Sequence, residues 1–300
     1  MEKLIKAKVE PGRVAIHWLG QGGFALKAHA GDVIVVDPYL SDSGAANGSP
    51  RLVDIPMRPR DVRLDYLFLT HDHLDHTDPH TAPFVAQQNP DAPVVCPPSS
   101  AHHLVKLGVP SAQIKTAMPG QALEFPNFTA HVVAAQHTED SVGYVFEFNE
   151  QGSETDGPVV YLTGDTSYND ALAAAVADFG PDVLLCPISG GDQINAAQAA
   201  ALAAEIAPRE VIPMHYGMFD GTEADPSAFV SLLASATHSD PQITAVVMAP
   251  NTCHLFSAEG AVQGKHAHKQ ARAQRAETAR QGREHRDGIR GPGSGQRGGN

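Results

Sequence analysis

At 300 residues the chain is long enough for one large domain or two small ones, and its 42% hydrophobic residues and 27 glycines fit an ordinary globular α/β protein. The net charge of −13 is unevenly spread: from Lys265 to the end there are nine Lys/Arg and three Asp/Glu, which leaves 12 and 31 for residues 1–264, a balance of −19. A body this acidic argues against nucleic acid as a partner except weakly through the basic tail, and no apolar run of about 18 residues exists to form a membrane-spanning helix.

The first six residues alternate charged and apolar types and lack a signal-peptide core, so the cytoplasm is the expected compartment. Strand-like runs follow at 14–18, 24–28 and 33–36, joined by Gly20-Gln21-Gly22-Gly23 and Gly31-Asp32 and ended by Asp37-Pro38. Residues 41–61, rich in Gly, Ser, Pro and Arg, read as a long loop. A short strand is predicted at 66–69, and Asp78-Pro79 supplies an N-cap and an N1 proline for a helix to about Gln88. Strands are expected at 94–96, 128–134 and 143–148, with a helix at 99–107 stopped by Gly108. Residues 152–157 read as a hairpin tip. Then come strand 159–162, helix 169–178, strand 183–186, an alanine-rich helix at 195–206, strand 211–213, helix 226–235 and closing strands at 243–248 and 254–256.

A β-rich front followed by alternating β and α predicts mixed sheets with helices packed outside, in one domain over 1–260. Residues 261–300 read as a disordered basic tail, with 271–283 able to form a transient helix. Cys96, Cys186 and Cys253 are odd in number, far apart and set in apolar stretches, as expected of buried free thiols.

Thr70-His71-Asp72-His73-Leu74-Asp75-His76 packs three histidines and two aspartates into six residues directly after the run 66–69. Imidazoles and carboxylates this dense are costly to desolvate unless a cation gathers them. The spacing is not that of two histidines four apart on one helix face; it suits a loop curling round a site. His71 and His73 can serve one metal and Asp75 with His76 a second, leaving Asp72 and Leu74 as spacers. One short loop cannot close two sites, and three further ligand types stand just past β-like runs: His137, Asp165 and His215.

With these residues in view, the chain resembles the metallo-β-lactamase superfamily. The matching motifs are Thr-His-Asp-His-Leu-Asp-His at 70–76, His137, Thr-Gly-Asp at 163–165 and His215. Trp18-Leu19-Gly20-Gln21-Gly22-Gly23-Phe24, Val36-Asp37-Pro38, Ser141-Val142-Gly143-Tyr144 and Pro213-Met214-His215-Tyr216 look like its L-ascorbate-6-phosphate-lactonase-like branch. The resemblance covers residues 14–257 and implies a four-layer αββα sandwich with a two-metal site at one sheet edge. It implies that His71, His73 and His137 hold one metal, that Asp75, His76 and His215 hold the other, and that Asp165 bridges them. A carboxylate has two oxygens to share where an imidazole has one free nitrogen. The adjacent His76 sets the chain apart from the secreted antibiotic-hydrolysing members, which use a Cys ligand, and His73 from the flavodiiron proteins, which carry Glu there. Gln21 is a departure, since a His is common at that position.

The expected activity is that of a binuclear hydrolase. A hydroxide shared by two divalent cations, zinc ahead of manganese, attacks a lactone, ester or phosphodiester, and Asp75 is the candidate proton acceptor. Asp37 and Thr70 are candidates for orienting the imidazoles, and Gln21 and Tyr216 for contacting a small-molecule substrate. The loops 20–23, 138–141, 189–192 and 216–220 are expected beside the site. A phosphorylated substrate calls for cationic groups, and Arg51, Arg58, Arg60 and Arg63 form the one cluster that offers them. An iron-dependent oxidoreductase and a non-catalytic metal- or ligand-binding protein are the competing classes. A homo-oligomer is compatible with the sequence.

Overall fold

The computed structural model describes residues 4, 6–149, 157–221, 224–237 and 243–258. The basic tail at 261–300, its helix at 271–283 and most of the hairpin tip at 152–157 lie outside the described residues.

The chain forms two seven-stranded sheets. The first sheet contains β1 (Arg13–Gly20), β2 (Gly23–Ala28), β3 (Val33–Val36), β4 (Tyr66–Phe68), β5 (Val94–Cys96), β6 (Ile114–Thr116) and β14 (Thr252–Ser257), in the order β14-β1-β2-β3-β4-β5-β6. The second contains β7 (Ala122–Glu124), β8 (Phe128–Ala134), β9 (Val142–Phe148), β10 (Val159–Leu162), β11 (Val183–Pro187), β12 (Glu210–Met214) and β13 (Thr244–Ala245), in the order β13-β12-β11-β10-β9-β8-β7.

Alternation along each strand sorts the side chains into layers. Val14, Ile16 and Trp18 of β1, Phe24 and Leu26 of β2 and Phe68 of β4 face Phe128, Tyr144, Phe146 and Leu162 between the sheets. The opposite face of the first sheet, with Val35, Leu67 and Leu69, packs under α1 (Ala82–Gln88) and α2 (Pro98–Lys106) through Val85, Ala86 and Leu104. The opposite face of the second sheet, with Tyr161, Leu184 and Cys186, packs under α3 (Ala171–Val176), α4 (Ala196–Ile206) and α5 (Pro226–Ala236) through Leu172, Leu202 and Phe229. The result is the expected αββα sandwich. Among the described residues no helix is long and apolar enough to cross a membrane.

Several local expectations are corrected. Helix α1 begins at Ala82 rather than beside Pro79, because Asp78 spends its side chain on the His80 amide and the Thr81 hydroxyl. Its carbonyl takes the Thr81 and Ala82 amides, so a separate turn precedes the helix. Strands β6 and β7, three residues each, had no signal in the sequence. The closing strand expected at 243–248 is only Thr244–Ala245. Cys96 and Cys186 are buried, and burial pushes both thiols up to about 12. Cys253 is exposed, because β14 is an edge strand with most of its side chains toward solvent.

Parallel pairing decides where the chemistry falls. β3, β4, β5 and β6 run parallel, as do β10, β11, β12 and β13. Their carboxyl ends therefore open at common sheet edges, which is where ligands bind in sheets of this kind.

Candidate metal centre

The loop after β4 is curled by its own backbone. The amides of His76 and Thr77 both donate to the His73 carbonyl, and the Thr77 hydroxyl donates to that of His71. This places three imidazoles and one carboxylate round a common point. β8 delivers His137, β10 delivers Gly164-Asp165, and β12 delivers His215. Gly164 has a φ of +62°, and a Cβ there would meet the Thr70 side chain at 3.0 Å and the Val142 carbonyl at 2.8 Å. Gly22, in the turn between β1 and β2, lets the backbone pass close to the His76 ring: a Cβ would lie 2.6 Å from its Cε1.

The residues fall into three overlapping groups: His71, His73 and His137; His71, His76 and Asp165; and Asp75, His76 and His215. Within each group the ligand-type atoms lie within 4.8 Å of one another. Asp165 is the hub. Its Oδ2 stands 3.2 Å from His215 Nε2, 3.3 Å from His76 Nε2, 3.8 Å from His137 Nε2 and 3.9 Å from His71 Nε2. Asp75 Oδ2 faces His215 Nε2 at 3.5 Å and His76 Nε2 at 3.7 Å. His73 Nδ1 and His137 Nε2 are 3.0 Å apart.

Two of the inward imidazoles are held from behind. His76 Nδ1 donates to Asp37 Oδ2 at 2.7 Å, and His71 Nδ1 lies 3.0 Å from Thr70 Oγ1. The Thr70 hydroxyl donates to Asp37 Oδ2 at 2.6 Å and the Thr70 amide to Asp37 Oδ1 at 2.8 Å. Because that hydroxyl proton is committed to Asp37, Thr70 Oγ1 accepts from His71. Both rings are thereby held with Nδ1 toward an acceptor and Nε2 turned inward, the orientation in which a neutral imidazole binds a metal.

Electrostatics follow from this crowding. Burial raises the Asp165 carboxyl, but His215 and His76 outweigh it and hold it well below the usual range. Burial opposes charge on His76 and His215, yet Asp165 and Asp75 raise both, His215 to about 9. Burial and the neighbouring His76 push His71 down.

These residues fit divalent cations. His71 Nε2, His76 Nε2 and Asp165 Oδ1 are buried without a hydrogen-bond partner among the described residues, and each such atom costs about 1–3 kcal/mol unless something satisfies it. Inward imidazole nitrogens and carboxylate oxygens are the donor types that zinc and manganese take.

Of the other candidates, Gln21 reaches the centre: its Nε2 lies 2.8 Å from both Asp75 Oδ2 and His215 Nε2. Tyr216 does not. Its ring packs on Trp18 at 4.9 Å and its hydroxyl donates to the Met248 carbonyl, so the side chain is spent on the core. One residue was missed, Gln193. Its Nε2 donates to Asp165 Oδ2 at 2.5 Å, one residue beyond the loop expected beside the site. Asp192 lies in that expected loop, and its Oδ2 stands 3.5 Å from His137 Nδ1. Asp72 is more than a spacer: it accepts from His103 Nδ1 at 2.7 Å, which ties the loop to α2.

Residues 33–216 match the family model of the β-lactamase superfamily domain. The chain belongs to this superfamily. It is 30% identical over 220 residues to a UPF0173 metal-dependent hydrolase of Thermoplasma acidophilum, covering 72% of this chain and 89% of that one. Among solved structures, Igni18, a metallo hydrolase of Ignicoccus hospitalis, superposes with a TM-score of 0.65 at 22% identity, over 82% of this chain and all of that one. An isothiocyanate hydrolase from Delia radicum gut bacteria superposes with a TM-score of 0.66 at 18% identity, over 81% of this chain and all of that one. As a member of this superfamily the chain is a metal-dependent hydrolase, as its curated relatives are named.

Proposed function

We propose that the chain is a binuclear hydrolase of the lactonase-like branch, acting on the carbonyl carbon of a lactone or ester. The observation that carries this reading is the placement of one Asp165 oxygen within 3.2–3.9 Å of four imidazole nitrogens. His71, His73 and His137 would hold one cation, Asp75, His76 and His215 would hold the other, and Asp165 would serve both. When bound, two such cations lower the pKa of a shared water and polarise the electrophile. The His-rich first group suits zinc, and the carboxylates of the second admit manganese.

The chain's own residues supply orientation and proton transfer. Asp37 and Thr70 hold His76 and His71 in one tautomer. Gln193, gripped at its carbonyl by the Ser189 hydroxyl, steadies Asp165. Asp75, half-buried at the centre, would accept a proton from the attacking water.

The arginines favour a carbonyl substrate over a phosphodiester. Arg51 donates to the carbonyls of Tyr39, Ser41 and Val53 and lies over the Tyr39 ring. Arg58 pairs with Asp61 at 2.6 Å, and Arg63 donates to the carbonyls of Arg60 and Val62. These guanidinium groups hold their own loop together instead of facing a phosphate.

A turnover panel tests the reading, using protein loaded with zinc or manganese and offered lactones, carboxylic esters, an isothiocyanate and phosphodiesters. Turnover of a lactone or ester above that of the phosphodiesters is expected. Preference for a phosphodiester would overturn the substrate assignment.

A further inference from the structure

Two carboxamides enter the centre from opposite sheets, and only one of them is locked. Gln193 Oε1 accepts from the Ser189 hydroxyl, which fixes its Nε2 toward Asp165 Oδ2. Gln21 is wholly buried, its Nε2 lies 2.8 Å from both Asp75 Oδ2 and His215 Nε2, and its Oε1 has no hydrogen-bond partner among the described residues. An unpartnered buried amide oxygen is costly, and half a turn about the last side-chain torsion exchanges it with the nitrogen.

The backbone holds this side chain in place deliberately. Gln21 has a φ of +53°, a region that a residue with a long side chain adopts at a cost. Its carbonyl is bonded by the Trp18 indole at 3.0 Å and by the amide of His215 at 3.2 Å. Both the main chain and the side chain of Gln21 are thus tied to the same ligand-bearing residue.

We propose that Gln21 is a ligand of the second cation, turning its Oε1 into the space between Asp75 and His215. The inference rests on the two-cation reading above. It makes the two halves of the centre unlike. The first offers the nitrogens of His71, His73 and His137 with Asp165; the second offers oxygens of Asp75, Asp165 and Gln21 with the nitrogens of His76 and His215. Oxygen-rich shells of higher coordination number suit manganese, whereas nitrogen-rich tetrahedral ones suit zinc.

The test is a titration of the metal-free, full-length chain with manganese(II), with free ion followed by electron paramagnetic resonance and folding by thermal melting. Three variants are compared with the parent: Gln21→Glu, which keeps the reach and an oxygen donor; Gln21→Asn, which tolerates the positive φ but is one carbon short; and Gln21→Gly, which the backbone accepts without strain. The parent and Gln21→Glu are expected to take up both ions. Gln21→Asn and Gln21→Gly are expected to keep one ion and bind the other roughly tenfold or more weakly. Unchanged affinity in folded Gln21→Gly would overturn the proposal, as would equal weakening in Gln21→Glu and Gln21→Gly. Uptake of fewer than two ions by the parent would instead overturn the two-cation reading, and this assignment with it.

Discussion

The Asp37 carboxylate accepts the Nδ1 proton of His76 at 2.7 Å, with both side chains buried. Asp37 stands at the end of β3 with a φ of +43°, a left-handed backbone that turns its carboxylate back toward the loop after β4. The same carboxylate takes both the amide and the hydroxyl of Thr70. One buried charge therefore fixes two of the imidazoles that face Asp165. The Asp37→Asn variant keeps the shape but offers His76 and Thr70 a weaker acceptor. We expect it to bind metal about 10–100-fold more weakly, measured by competition with a chelator. Parent-like affinity would show that Asp37 only caps its strand.

The close approach of Gly22 to His76 makes a second prediction. An added methyl group would stand 2.6 Å from the ring's Cε1, so the ring or the turn must move. Gly22→Ala is expected to cost about 1–3 kcal/mol of stability and to lower metal content in proportion to the displacement of His76. Denaturant unfolding and elemental analysis check both effects.

Asp75 carries the proton-transfer role. Asp75→Asn, with both metals retained, is expected to lower turnover by about 10²–10⁴-fold, with a far smaller change in KM. Unchanged turnover at full metal content would remove Asp75 from that role.

Away from the centre, His17 predicts how stability responds to pH. Burial in β1 pushes its imidazole from 6.5 down to about 4, against the raising effect of its hydrogen bond to Asn251. As pH falls below about 6.5 the unfolded chain takes a proton that the folded chain refuses. Stability is therefore lost between about pH 6.5 and 4, at about 1.4 kcal/mol per pH unit and up to about 3 kcal/mol in all. His17→Gln should flatten that part of the profile in denaturant unfolding at pH 7, 6 and 5. An identical pH dependence in parent and variant would contradict the assignment.

What could be read in advance follows a physical division. His71, His73, Asp75, His76, His137, Asp165 and His215 stood out because ionisable side chains directly after buried strands must face either solvent or a ligand, and the structure brings all seven together. The layers were legible because the long strands alternate cleanly. Gln193 was not legible: a neutral amide in a polar turn carries no signal until Asp165 stands opposite it. Tyr216 misled because it adjoins His215, yet the left-handed backbone at His215, with a φ of +62°, sends the two side chains apart. Asp72 was taken for a spacer because its partner His103 lies on a helix 31 residues away. β6 and β7 are too short for a periodic pattern, and they form only because each sheet offers a neighbouring strand.

As proposed, this centre holds two divalent cations and needs both. Elemental analysis of the purified full-length chain, paired with turnover before and after chelation, tests it most directly. About two ions per chain are expected, with loss of turnover when they are removed and its return when zinc or manganese is restored. A chain that holds fewer than two ions while fully active, or that keeps its turnover after chelation, would contradict it.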